Sequence, residues 1–518
     1  MVKEINILWT DDEIDLLKPY VLFLEEKGYR VSTAQNGEDA LELVRNSDFD
    51  LILLDENMPG LSGLETLDRI KDVAPTVPVV MITKSEEEDI MDEAIGSKIA
   101  DYLIKPVNPK QILLSIKKNM DTRRLVTQKT TSAYQMKFGE IGGLINSAAS
   151  FNDWAGIYRK LVFWERELEQ TGESGMDEVL QMQWTEANQG FFRYVKMHYP
   201  DWFGKGSTEK PLLSPNLFRE KVFPLLEKNP VVVIIIDNLR YDQWKLIERE
   251  ISTFYRVDRE EIFSSILPTA TQYARNAMFS GLMPSEIEKL QPDLWVSEEE
   301  EGGKNNHEAE LCRAQLQRLG LSCSFNYEKI NNHRYGRKVV DHFRDLLNYD
   351  LNVLVYNFVD MLSHARTEME MIRELAYDDR SYRSLTRSWF GNSYLLELLR
   401  LLSSHDIKLV ITTDHGAIRV QNPIKVVGDR RTTTNIRFKQ GKNLSYPAAR
   451  VFEITDPASI YLPRSNVSST YIFAGNNDYM VYPNNYSHFV NHYRNTFQHG
   501  GISMEEMLIP CVTLSPNA

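Results

Sequence analysis

The chain has 518 residues, 42% of them hydrophobic and 25% charged, a composition of soluble globular proteins at a length too great for one core. Its formal net charge of −14 excludes a protein that grips long nucleic acid by its phosphates. Three cysteines, Cys312, Cys323 and Cys511, without Cys-x-x-Cys spacing exclude a disulfide scaffold and a thiolate zinc site. The start, MVKEINILW, lacks a signal-peptide core. Apolar runs such as VVVIII at 231–236 fall far short of the ~20 residues that cross a bilayer, so a cytoplasmic protein without membrane insertion is expected.

At the N-terminus, apolar strands are predicted at Ile5–Trp9, Arg30–Ala34, Leu51–Leu54, Pro78–Thr83 and Ala100–Ile104. Segments with apolar residues at helical spacing, such as EIDLLKPYVLFLEEKG and GEDALELVRNS, lie between them. Alternating strands and helices imply a parallel, doubly wound sheet. Asp11 and Asp12, Asp55, Thr83 and Lys105 then fall at carboxyl ends of strands, where ligands gather in such sheets. One such residue is ordinarily a turn residue, but five in matching positions are not. Three converging carboxylates repel unless a divalent cation joins them, so Mg²⁺ is expected. Lys105 and Thr83 beside that ion suit the oxygens of a phosphoryl group on Asp55.

Through WTDDE, LLDENMPG, MITKS and DYLIKP this stretch resembles the receiver domain of response regulators. The resemblance implies that Asp55 accepts phosphate from a sensor histidine kinase. It also implies that Asp11 and Asp12 bind Mg²⁺ with Asp55 and the backbone carbonyl of Asn57. Thr83 becomes the switch hydroxyl, Lys105 the phosphate-binding lysine and Tyr102 the switch aromatic, with a cis bond between Lys105 and Pro106.

Strand signals vanish in the middle of the chain. Phe151–Leu168 and Asp177–His198 carry aromatic and aliphatic residues three and four apart, so a small helical bundle is predicted with Trp154, Trp164 and Trp184 in its core. TGESG marks the turn between them, and GKGSTEKPLLSP at 204–215 reads as a linker. No helix-turn-helix pattern stands out. The expected division is a domain at 1–124, a helical spacer at 125–206 and an output domain at 207–518.

In the last part, VVVIIID ends at Asp237 and LNVLVYNFVD ends at Asp360, four residues before His364. LVITTDHG supplies Asp414 and His415, and QHGGISMEEM supplies His499. Asp360 and His364 share a face if the chain turns helical there, and glycines after His499 let the backbone approach a buried site. LPTATQYARNAMFSG places Thr269 and Thr271 at a helix start, where a hydroxyl is usually an N-cap but is also placed to act as a nucleophile. Three Asp, three His and a hydroxyl fit two metals sharing one site, since unpaired buried carboxylates are costly. Two divalent ions about 4 Å apart clamp the attacking and leaving oxygens of phosphoryl displacement. Asp with His favours Zn²⁺, with Mn²⁺ as the alternative.

The order Asp, Thr, Asp-x-x-x-His, Asp-His, His-Gly-Gly between Pro230 and Pro510 resembles the alkaline phosphatase superfamily, and within it the PglZ branch. That implies one zinc held by Asp237, Asp414, His415 and Thr271, and a second held by Asp360, His364 and His499. Thr271 would be the nucleophile, passing through a phosphothreonine, in preference to Thr269. No counterpart of the extra arginine or third-metal ligands of monoesterase members is visible, which points to diesters.

Receiver, helical spacer and PglZ-type domain in this order resemble the PorX-type response regulators tied to type IX secretion. The expected fold is therefore multidomain α/β: a flavodoxin-like receiver, a helical bundle and an alkaline-phosphatase-like domain. The resemblance implies a histidine kinase partner, phosphorylation-linked homodimerisation and hydrolysis of nucleotide phosphodiesters, as cyclic or linear oligonucleotides. A sigma factor or a secretion-system component is the further partner it suggests. The competing reading is a catalytically silent adaptor that docks such a partner through the PglZ-type domain.

Overall fold

The computed structural model describes residues 5–84, 99–171, 176–204, 210–297, 303–429, 432–464, 466 and 468–517. Ser85 of MITKS, 172–175 of the TGESG turn and 205–209 of the linker lie outside them. The chain divides into two compact units, 1–139 with 164–178, and 140–163 with 179–518.

In the first unit, β1 (Ile5–Thr10), β2 (Tyr29–Ala34), β3 (Leu51–Asp55), β4 (Val79–Thr83) and β5 (Asp101–Ile104) form a sheet ordered β2-β1-β3-β4-β5. Every pairing is parallel. Side chains of β3 alternate between two apolar cores, Ile52 and Leu54 on one face and Leu51 and Leu53 on the other. Burial on both faces is why this strand reads as an unbroken apolar run. Helices α1 (Lys18–Glu26), α2 (Gly37–Asn46) and α3 (Gly63–Val73) return the chain between strands. Asn36 caps α2, and Ser62 with Glu65 forms a capping box on α3. A Cβ on Gly63 would lie 2.4 Å from the Asp55 carbonyl, so only glycine lets α3 begin this close to β3.

Three long helices follow, α4 (Pro109–Ser147), α5 (Phe151–Thr171) and α6 (Asp177–His198). Each contributes residues to both units. Trp154 and Trp184 are buried and Trp164 is half-buried. The Trp154 ring packs on Phe191 of α6 at 5.8 Å.

The second unit is built on β6 (Val231–Ile236), β7 (Tyr255–Ser264), β8 (Phe325–Ile330), β9 (Leu351–Tyr356), β10 (Lys408–Thr412) and β11 (Leu508–Pro516). Their order is β7-β11-β10-β6-β9-β8. The pairings β10-β6, β6-β9 and β9-β8 are parallel, while β11 runs antiparallel to β10 and β7 to β11. Thr412 lies beside Ile235, and Ile236 beside Tyr356. The carboxyl ends of β10, β6 and β9 are thus level, and the chain leaves all three at one edge of the sheet. Helices α7 (Tyr241–Ile251), α8 (Thr271–Ser280), α9 (Glu308–Arg318) and α10 (Phe358–Glu368) stand around that edge. No helix among the described residues is long and apolar enough to cross a membrane.

Candidate active site

Asp11, Asp12 and Asp55 come together at the strand ends of the first unit, with ligand oxygens within 4.8 Å of one another. Lys105 Nζ lies 2.9 Å from Asp11 and 3.0 Å from Asp55. Burial raises the Asp55 carboxyl to about 6, against the pull of Lys105. The Thr83 hydroxyl donates to Glu56, and the Lys105–Pro106 bond is cis. Asn57 and Tyr102 are exposed.

At the edge of the second sheet two clusters form, Asp237 with Asp414 and His415, and Asp360 with His364 and His499. Within each, one ligand atom per residue lies within 4.8 Å of the others. The first cluster is buried, while the His364 side chain is 63% exposed and opens the second to solvent. His364 Nε2 is 3.5 Å from Asp360, one turn earlier on α10. The His415 and His499 rings stack at 4.2 Å and join the clusters. Thr271 Oγ1 lies 3.0 Å from His415 Nε2 and 3.5 Å from Asp237 Oδ1. Thr271 is the first residue of α8, and the N-cap is Ala270, which has no side chain to cap with. The Thr271 hydroxyl is therefore not spent on capping the helix.

Thr269 does different work. Its hydroxyl donates to the Gly501 carbonyl at 2.9 Å and accepts from the Gly500 N–H at 3.0 Å, while its carbonyl meets His499 Nδ1 at 3.1 Å. Holding Nδ1 in this way aims Nε2 at the cluster. Buried Glu506 accepts from the Gly501 N–H at 2.9 Å and pairs with buried Arg437 at 2.6 Å. Asn238, at φ 66°, turns the chain after Asp237 and directs its side-chain amide to Asp360 and Ser363.

These carboxylates are held where anionic charge is unfavourable. Burial raises Asp237 to about 6, and burial raises Asp414 and Asp360 as well. Burial lowers His415 to about 4 and His499 to about 3, so both imidazoles are neutral, the form that ligates metal. Asp414 Oδ2 is buried without a hydrogen-bond partner. A donor set of carboxylates, neutral imidazoles and an orphaned carboxylate oxygen fits a pair of divalent cations.

Arg275, which LPTATQYARNAMFSG contains without marking it as a site residue, also reaches the site. Its guanidinium lies 2.9 Å from Asp237 Oδ2 and 2.6 Å from buried Glu308. The signal was its spacing, one turn after Thr271 on the same face. Because it is committed to two carboxylates, it is not a free clamp for substrate phosphate. Asn238, Glu308 and the Arg437–Glu506 pair left no mark in the sequence, because their partners are distant along the chain.

With this geometry in hand, the resemblances are specific. Residues 217–514 match the BREX system PglZ alkaline phosphatase-like domain, 124–203 the PorX response regulator linker domain, and 7–117 the response regulator receiver domain. Among curated proteins, the transcriptional regulatory protein ZraR of Klebsiella oxytoca is 36% identical over 140 residues, 27% of this chain and 32% of that protein. ResD of Bacillus subtilis (strain 168) is 33% identical over 114 residues, 22% of this chain and 47% of that protein. The chain thus spans less than half the length of either relative. Among solved structures, a CheY-like receiver domain protein from Methanospirillum hungatei JF-1 is 28% identical, with 23% of this chain and 96% of that one covered and a TM-score of 0.23. A two-component response regulator from Clostridium difficile is 30% identical, with 23% and 97% covered and a TM-score of 0.22. The chain belongs to the family of the BREX system PglZ alkaline phosphatase-like domain and carries that domain behind a response regulator receiver and a PorX-type linker.

Proposed function

We propose that this response regulator is a phosphorylation-controlled phosphodiesterase, whose output domain uses two zinc ions to cleave nucleotide phosphodiesters, as cyclic or linear oligonucleotides, in the control of type IX secretion. The observation that carries this reading is the Thr271 hydroxyl, free of capping duty and placed against both His415 and Asp237. Asp237, Asp414 and His415 would hold one ion together with Thr271, and Asp360, His364 and His499 the other. Bound zinc would supply the positive charge that favours the Thr271 alkoxide and steadies the oxygens of the phosphoryl group. Thr271 Oγ1 attacks phosphorus, one ester bond breaks, and the released alcohol takes up a proton; water then cleaves the phosphothreonine. The start of α8 faces the developing anion with its N–H groups and dipole. The open His364 side gives the substrate its approach.

In the receiver, Asp55 would take phosphate from a sensor histidine kinase with Mg²⁺ held by Asp11, Asp12, Asp55 and the Asn57 carbonyl. Thr83, Lys105 and Tyr102 would relay the change to a cytoplasmic homodimer, with modules at 1–124, 125–206 and 207–518. The full-length protein loaded with zinc is expected to hydrolyse bis(p-nitrophenyl) phosphate, and Thr271→Ala to lower kcat by at least ~10³-fold. Undiminished turnover by that variant would remove Thr271 from the reaction and with it this reading.

A further inference from the structure

Asn188 lies at the middle of α6, Phe192 in its C-terminal half and Tyr199 just beyond its last residue, four and then seven residues apart. Helical bonding continues to Tyr199, whose N–H donates to the Val195 carbonyl at 2.8 Å. From Asn188 to Tyr199 is about three turns, so these residues share one face. That face meets both loops of the site. The Asn188 side chain accepts from the Met504 N–H at 2.9 Å and donates to the Glu505 carboxylate at 3.0 and 3.2 Å. The Tyr199 hydroxyl accepts from the Leu267 N–H at 2.7 Å. Phe192 fills the space beside Gly475, where a Cβ would lie 2.4 Å from its ring.

The two loops so held are those that place the reacting groups. Leu267 begins the turn that runs through Thr269, the partner of His499, to Thr271. The turn bearing Met504 and Glu505 presses on Gly416, next to His415: a Cβ there would lie 2.1 Å from the Glu505 carbonyl. In the same turn, Glu506 accepts from the Gly501 N–H through its side chain and from the Gly416 N–H through its carbonyl. We propose that Asn188 and Tyr199 are positioning residues of the output site, through which the helical segment sets the spacing of the nucleophile and both ligand clusters. The segment is then part of the site it precedes instead of a passive spacer. This inference rests on the two-zinc reading of the clusters.

Zinc is titrated against a chromophoric chelator into the full-length protein, Tyr199→Phe, Asn188→Asp and the double variant Asn188→Asp/Glu505→Gln. The thermal midpoint of each zinc-free protein and its turnover of bis(p-nitrophenyl) phosphate are measured alongside. At pH 8, above the range in which Glu505 keeps its proton, Asn188→Asp opposes two carboxylates and is expected to weaken zinc binding at least tenfold. The double variant exchanges donor and acceptor at constant charge and is expected to return within threefold of the parent. Tyr199→Phe keeps the ring, carries the test if Asn188→Asp fails to fold, and is expected to weaken zinc binding at least threefold. Altered midpoints with parental zinc affinity in Tyr199→Phe and Asn188→Asp would overturn the proposal. Should the parent bind zinc but leave the diester intact, the activity falls while a loss of zinc affinity in the variants still supports the positioning role.

Discussion

Gly416→Ala tests how tightly the Asp-His-Gly turn is built into the site. Gly416 is not at a positive φ, so alanine suits its backbone and the effect is purely one of space. The new methyl carbon would lie 2.1 Å from the Glu505 carbonyl oxygen and 3.2 Å from Arg240 Cγ. The Glu505 carbonyl must retreat by about 1.3 Å to reach van der Waals distance. It cannot do so alone, because the Gly416 N–H bonds the Glu506 carbonyl at 3.2 Å and Asn188 holds the same turn. A backbone obstacle fixed at both sides places the cost at the upper end for overpacking, about 3 kcal/mol. The displacement also separates His415 from the turn that carries His499, and a ~1 Å misplacement costs on the order of 10²-fold in rate. Thermal unfolding, zinc competition and diester turnover of the full-length variant read the three consequences. A parental midpoint with zinc affinity and rate within twofold would refute the close packing on which the site's architecture depends.

Arg275→Met leaves Asp237 and Glu308 buried without their shared cation, and denaturant unfolding of the zinc-free protein should show a loss of about 3 kcal/mol. The loss shrinks when zinc neutralises Asp237, so equal losses with and without zinc would count against the ligand assignment. Burial raises the Glu505 carboxyl from 4.5 to about 7, so the folded chain keeps a proton that the unfolded chain has released between those values. That stabilising contribution is complete below pH 4.5 and is lost as pH rises through 7. Glu505→Gln fixes the neutral form, and its stability relative to the parent should rise by about 3 kcal/mol from pH 4 to pH 8; a constant difference in urea unfolding would show that the carboxyl does not titrate there. In the receiver, Asp55→Asn should abolish phosphate uptake from acetyl phosphate with Mg²⁺, followed by intact mass, and undiminished uptake would place the acceptor elsewhere.

The ligand clusters were legible because parallel strands bury both faces. Val231–Ile236 reads as an unbroken apolar run and Leu351–Tyr356 as one interrupted at Asn352, and a carboxylate following such a run has no packing role to explain it. His364 followed from helical spacing, and His499 from the glycines that let its loop come close. The choice between Thr269 and Thr271 came from resemblance. The structure separates them physically, since one hydroxyl is consumed by the His499 loop and the other is not spent as a helix cap. Arg275 was visible but unassigned, because spacing puts it on the Thr271 face without revealing Asp237 and Glu308 as its partners.

What sequence spacing hides is the support beneath the ligands, because hydrogen bonds between remote segments leave no periodic signal. Asn188 and Glu505 are 317 positions apart, and Arg437 and Glu506 are 69 apart. Asn188 is one of several polar residues along α6, and nothing in its spacing sets it apart from a solvated helix position. Its burial changes the inference. A buried amide must satisfy its donors and its acceptor, and here it does so on the turn that abuts His415 and carries the clamp on the His499 loop. Tyr199 meets the same requirement on the turn that leads to Thr271. Two buried polar groups three turns apart, each satisfied among the described residues by a loop of the candidate site, make the order of those loops depend on one helix. On the proposed reading, that dependence is the physical route by which the segment between receiver and output domain would govern turnover.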